Sequence, residues 1–297
     1  RPAASLARAA ARLQSSAMET EFPQPEAEAL AHSRRLAALI TDEIRASGGW
    51  LSFARFMERA LYTPGLGYYS GGAHKFGPAG DFVTAPEISP LFGQALAAQI
   101  VEVMALSSRQ IIEVGAGSGL LACDLLAVLE AADALPEHYD IIELSGELRA
   151  RQATTLRECV PHLASRVRWL DALPEAFSGC VLANEVLDAM PVPLVVWRAE
   201  GIEYLSEICL AARAWVAEWG HRLAQGALLL IDYGYPQAEY YLASRDQGTA
   251  QSFHRHHADA DLLAWPGLKD ITAFVDFSAI AEAADAAGLG VHGYISQ

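Results

Sequence analysis

The chain reads as an α/β protein built on a doubly wound, mostly parallel sheet. Three observations carry that reading. From residue 110 onward, short apolar runs alternate with helical patterns, the order that feeds a parallel sheet through helical crossovers. A glycine-rich turn at Gly115, Gly117 and Gly119 joins the first run to the first helical pattern. Acidic or polar residues stand at the ends of successive runs: Glu113, Glu143, Asp171 and Asn184-Glu185. Ligands of such sheets lie beyond the carboxyl ends of the strands.

The elements follow in chain order. Residues 1–17, RPAASLARAAARLQSSA, hold three arginines and no acid. They resemble a mitochondrial transit segment, with a native start at Met18 as the competing reading. Glu19–Glu28 is an acidic lead-in. Leu36, Ile40 and Ile44 repeat at helical spacing and predict a helix over 32–46. A second helix is predicted over 50–62, with Phe53, Phe56, Met57 and Ala60 on one face and Ser52 as N-cap. Residues 63–89 form a long glycine- and proline-rich loop carrying Tyr68, Tyr69, Phe76 and Phe82, and a loop of that length implies an ordered functional role. A helix over 90–105 leads into the sheet. The predicted strands are 110–114, 139–143, 166–170, 180–184, 194–198, 227–232 and 290–295. The predicted helices between them are 119–133, 146–159, 205–224 and 277–287.

Composition narrows the function. The 297 residues are 52% hydrophobic and 19% charged, which fits an ordered globular protein. A net charge of −15 argues against binding to nucleic-acid backbone or to anionic membrane surfaces. It suits a basic partner. No apolar run approaches the roughly 18 residues that span a bilayer. Cys123, Cys159, Cys180 and Cys209 are scattered. They read as buried free thiols in a reducing compartment, neither disulfides nor a zinc site. The cytoplasm is the expected compartment, or the mitochondrial matrix if the N-terminus is a transit segment.

The glycine turn has GxGxG spacing. The dinucleotide fingerprint needs a third glycine at position 120, which is Leu120. An acid two residues before the first glycine points instead to an S-adenosylmethionine loop, with Glu113 holding the ammonium through water. Glu143 is placed to accept from ribose hydroxyls, and Asp171 to meet the adenine amino group. Three acids after three strands fit this cofactor better than a nicotinamide dinucleotide, and they suit a positive sulfonium. Asn184, Glu185 and Asp188 follow the fourth strand, where buried polar groups need partners. Asp232 is either a site acid or a turn former. His254, His256 and His257 match no metal-site spacing, so no metal is expected and a solvated or lid loop is the reading. No GxSxG or P-loop motif occurs.

GLGYYS (65–70), GDFVTAPEISPLFG (80–93), EVGAGSG (113–119), ANEVLDAMPVP (183–193), LLLIDYG (228–234) and DITAFVDF (270–277) resemble the MidA-like methyltransferases. These are bacterial relatives of a mitochondrial complex I assembly factor that methylates protein arginine. The resemblance spans roughly 35–297. It implies a class I S-adenosylmethionine-dependent methyltransferase fold, Rossmann-like, with an N-terminal helical cap and inserted loops. The implied division is a lead-in at 1–30, a cap and covering loop at 31–105, and a cofactor-binding domain at 106–297. The implied cofactor contacts are Glu113, Gly115, Ala116, Gly117, Gly119, Glu143, Leu144, Asp171, Ala172 and Asn184. Phe82, Thr84 and Pro86 belong to the segment expected to close over the cofactor, whose product is S-adenosylhomocysteine. Relatives carry a longer segment between WRAEGI (197–202) and EYLSEI (203–208) and continue past GYISQ, so a last sheet strand is expected to be missing. Phe274 stands where some relatives have a polar residue.

The implied acceptor is a protein arginine, in the mitochondrial case one on a complex I subunit. Carboxylates must then grip the guanidinium and take its proton. Glu185, Asp188 and Glu87 are the catalytic candidates, with Glu185 first. Two alternatives remain: an assembly factor that binds the cofactor without turnover, and a methyltransferase for a small molecule. Oligomeric state is not readable from the sequence.

Overall fold

The computed structural model describes residues 23–71, 84–199 and 202–296. Phe76 and Phe82, and residues 1–17, lie outside them. Helix α1 (Ala27–Ala46) and helix α2 (Phe53–Tyr62) come first, and the Ser52 hydroxyl caps α2 by accepting from the Arg55 N–H at 3.2 Å. Glu43 on α1 accepts from Arg55 Nε and from Arg59 Nε, both at 2.7 Å, which fixes the angle between the two helices. Met57, Ala60 and Leu61 are buried, while Phe53 and Phe56 pack at the edge of their cluster. A short turn, α3 (Ala85–Ile88), precedes α4 (Leu91–Leu106).

The central sheet follows: β1 (Gln110–Val114), α5 (Leu120–Ala131), β2 (His138–Ile142), α6 (Gly146–Cys159), β3 (Val167–Leu170) and β4 (Phe177–Asn184). The order in the sheet is β3-β2-β1-β4-β7, all parallel, with β7 (Leu223–Ile231) at one edge. The reversal of strand order lies between β1 and β4. The inner strands are buried on both faces, as helices on both sides require. Ile111, Tyr139, Ile141, Cys180 and Leu182 pack on one side with α4, α5 and α6. Ile112, Val114, Val181 and Ala183 pack on the other with Trp219 of α7 (Leu210–Arg222).

Two predicted strands differ. The 194–198 run is not in the central sheet. It forms β5 (Leu194–Ala199), which pairs antiparallel with β6 (Ile202–Glu207). β6 replaces the first residues of the helix predicted at 205–224, and α7 starts at Leu210. Apolar content specified a strand here but not its partner, and pairing is set by non-local contacts. The 290–295 run forms no strand.

After β7 the chain makes β8 (Gly234–Tyr235) and α8 (Gln237–Tyr240). A small antiparallel sheet, order β10-β9-β11, comes from β9 (Gln251–His254), β10 (His257–Asp259) and β11 (Asp270–Thr272). Then β12 (Val275–Asp276) pairs parallel with β8, and α9 (Phe277–Ala286) packs on α7. The small sheet holds the predicted histidine loop. His254 is buried rather than solvated; its Nδ1 lies 3.2 Å from the Leu268 carbonyl and its ring sits on Trp265. Lys269, almost fully buried, pairs with Asp259. Cys123 and Cys180 are buried as expected, but Cys159 is exposed. No helix among the described residues is long and apolar enough to cross a membrane.

Trp219 is fully buried against Phe177 and Trp215. Trp219→Ala is expected to cost about 3–5 kcal/mol, read as a lowered midpoint in urea unfolding at unchanged slope.

Candidate functional site

A cavity of about 960 Å³ opens beyond the carboxyl ends of β1, β2, β3 and β4. Its floor is the glycine turn. Gly115, Gly117 and Gly119 all have positive φ (67°, 52° and 85°), a conformation most side chains resist. At Gly119 a Cβ would also come within 3.1 Å of the Gln152 Cα. The close approach of α6 to the turn therefore needs that glycine. The Gly115 N–H donates to the Ile142 carbonyl at 2.9 Å, which ties the turn to β2.

Glu113 is buried beside the turn, and the Tyr139 hydroxyl donates to its Oε2 at 2.7 Å. Burial pushes its carboxyl up to about 7 against that hydrogen bond. Glu143, at the end of β2, is also buried. Its Oε1 accepts from the Ser145 N–H at 2.9 Å and its Oε2 from the Gln152 side chain at 3.0 Å. Burial raises its pKa, and these hydrogen bonds partly offset the rise. Leu144, 84% exposed, offers an apolar face at the rim, and Ala116 and Ala172 line the wall. Asp171 lines the cavity but its side chain is 91% exposed and pairs with Arg149 at 2.6 Å.

Sequence reasoning missed the residues that hold these acids in place. The Gln152 amide is fully buried. It donates to Glu143 and to the Gly117 carbonyl at 3.2 Å, and it accepts from the Trp169 indole at 2.9 Å. Arg149 donates to the carbonyls of Glu143 (2.7 Å) and Leu170 (2.9 Å), joining the ends of β2 and β3. Arg149 lies in the first turn of α6 and Gln152 one turn on, and their i, i+3 spacing puts them on the same side of the helix.

The cavity is also lined by acids from beyond β4 and from β11. Glu185 stands just past β4, and burial pushes its carboxyl up to about 7. It accepts from the Asn184 amide at 3.4 Å. The Asn184 Oδ1 is buried and has no hydrogen-bond partner among the described residues. Glu87, on α3, lies near enough to raise the Glu185 pKa further; Thr84 and Pro86 of the same segment line the cavity. Asp188 is buried, and burial with the charges of Asp232, Asp270 and Glu185 holds it well above the ordinary carboxylate range. Asp270, on β11, is a further site acid that the sequence did not single out; it accepts from the Tyr69 hydroxyl at 2.9 Å. Tyr69 stacks on Tyr62, whose hydroxyl donates to the Ala189 carbonyl at 2.9 Å. Asp232 is a turn former: it accepts from the N–H groups of Val186 (3.1 Å), Leu187 (2.8 Å), Asp188 (3.3 Å) and Tyr233 (2.8 Å).

The residues present fit S-adenosylmethionine. The floor is a turn of three positive-φ glycines, Glu143 stands at the neighbouring strand end, and the orphaned Asn184 Oδ1 is an acceptor awaiting a donor. The chain matches, over residues 95–206 and 202–295, the sequence model of the family described as "Putative S-adenosyl-L-methionine-dependent methyltransferase". The chain belongs to this family. A crystal structure from Burkholderia thailandensis bound to S-adenosyl-homocysteine is 45% identical, covers 90% of this chain and 80% of its own, and has a TM-score of 0.83. An uncharacterized protein from the same organism is 46% identical over 90% of this chain and 79% of its own, TM-score 0.84. The rat (Rattus norvegicus) protein arginine methyltransferase NDUFAF7, mitochondrial, is 28% identical across 78% of this chain. The match spans 66% of that relative's length.

Two outcomes follow for the family's cofactor. Gly117→Val adds a branched side chain at φ 52° on the cavity floor, so S-adenosylhomocysteine affinity should fall at least about a hundredfold in a folded variant; calorimetry reads this. Glu185 has its carboxyl pushed up to about 7. Below that pH it is neutral, and above it a sulfonium is attracted while the uncharged sulfur of S-adenosylhomocysteine is not. The ratio of S-adenosylmethionine to S-adenosylhomocysteine affinity should therefore rise several-fold from about pH 6 to about pH 8, read by calorimetry at the two values.

Proposed function

We propose that this protein transfers a methyl group from S-adenosylmethionine to an arginine of a protein acceptor, with a respiratory complex I-type subunit as the first candidate. The observation that carries the reading is the gathering of Glu185, Asp188 and Asp270 on the wall of the cavity that the glycine turn floors. The arginine methyltransferase name of the rat relative supports it.

When bound, S-adenosylmethionine supplies an activated methyl group on a positive sulfur. The protein's share is then proximity and orientation. Glu143 is the acid we assign to the ribose hydroxyls, and Glu113 to the ammonium. Thr84 and Pro86, ahead of Glu87, would exclude water from above. An incoming guanidinium brings a positive charge that lowers the raised pKa of Glu185 and Asp188. The two carboxylates can then hold its N–H groups and draw electron density to one nitrogen. Glu185 is our base for the proton released on transfer. Asn184 Oδ1 is an additional acceptor for an N–H of either ligand.

Incubation with radiolabelled cofactor and arginine-containing peptides or cell lysate tests this. Glu185→Gln should reduce labelling about 10²–10⁴-fold, while S-adenosylhomocysteine affinity stays within a few-fold. Full activity in Glu185→Gln would remove Glu185 from the role. Labelling of small molecules and not of protein would favour a different acceptor.

A further inference from the structure

We propose that Asp232 is the positioning residue of this site: its carboxylate clamps the turn after β4 and sets Glu185 and Asp188 as two acids facing the cavity. The proposal builds on the assignment of these two acids and is independent of arginine being the acceptor.

The geometry is that of a closed nest. Asp232 Oδ2 accepts from three consecutive N–H groups, those of Val186, Leu187 and Asp188, and Oδ1 accepts from Tyr233. Successive N–H groups converging on one point form an anion site. Here a side chain from the end of the neighbouring strand fills it. The Glu185 N–H is held separately, donating to the Ile231 carbonyl at 2.8 Å. Between those two anchors Glu185 adopts φ +53°, which is uncommon for a residue with a side chain and persists only where surrounding contacts enforce it. The clamp supplies those contacts. It also keeps the three N–H groups occupied, so none is left to neutralise Glu185 or an added anion.

The second part of the role is charge. Glu185 faces the Asn184 amide and Asp188 on its own turn, Asp232 and Tyr233 after β7, and Glu87 and the Ala85 N–H on α3. Asp188 faces Asp232, Asp270, Glu185 and the Ala189 N–H. After burial itself, Asp232 is the leading charge that raises the pKa of both acids. Its anion disfavours a second negative charge in the turn until a cation enters.

Asp232→Asn separates the two parts. The Asn oxygen can stay on the three N–H groups while the negative charge is lost. Carbon-13 NMR of protein labelled at Glu and Asp carboxyls follows the titration, with Glu185→Gln identifying the Glu185 signal. The Glu185 midpoint, about 7 in the wild type, is expected to drop by about half a unit or more, with S-adenosylhomocysteine affinity within about threefold. A clamp that is only structural would lower the melting temperature and leave the midpoint in place, and that result overturns the proposal. A second measurement needs no variant. In the wild type, the amide protons of Val186, Leu187, Asp188 and Tyr233 should report one shared titration near pH 6, where burial has pushed the Asp232 carboxyl. Four unrelated midpoints, or none, overturn it however the variant folds. Neither measurement requires a methyl acceptor, so a failure of the arginine reading would leave both outcomes interpretable.

Discussion

The site depends on one buried amide. Gln152 is sealed from water, and each of its polar atoms is engaged: the nitrogen on Glu143 and on the glycine turn, the oxygen on the Trp169 indole. A buried amide with any of these left unmet would cost free energy. The three strand ends are therefore fixed relative to one another by a single planar group. That fixes the span between the turn that approaches the cofactor and the acid assigned to the ribose. Arg149, one helical turn earlier, does the same for the backbone of β2 and β3. Helix α6 thus acts as the ruler of the pocket as well as its wall.

The acids of the cavity are held in two different ways. Glu143 is braced by donors on both oxygens. Glu185 and Asp188 face other carboxylates. Acids of like charge in a dry pocket hold protons they would release in water. Such a pocket is tuned to cations, because a positive ligand relieves repulsion and adds attraction at once. That property agrees with a sulfonium cofactor and with a guanidinium acceptor, and it arises from where β4, β7 and β11 end.

Much of this was legible in the sequence because it is local. A glycine turn after an apolar run, an acid before it and acids after later runs are patterns within a few residues of one another. The backbone at Gly115, Gly117 and Gly119 has the positive φ that the spacing implied. What was not legible is non-local. Gln152 and Asp270 look like ordinary polar residues until the helix and the small sheet bring them to the cavity. The run 194–198 has strand composition, yet its partner is the adjacent β6 and not the central sheet. Asp171 lines the cavity as the sequence led one to expect, but its pairing with Arg149 there was not legible. The histidines at 254, 256 and 257 looked like one loop cluster, but strand geometry sends His254 into the interior.

The left-handed backbone at Glu185 sets the role proposed for its carboxylate against robustness. Glycine is the residue that relaxes such a conformation, and replacing a strained side chain with it can raise stability. A library of this protein selected only for heat resistance would therefore be drawn toward glycine at 185, discarding the carboxylate while the fold improves. Survivors would pass every test of solubility and thermal tolerance with the proposed base gone. Any effort to harden this scaffold must hold that one position fixed.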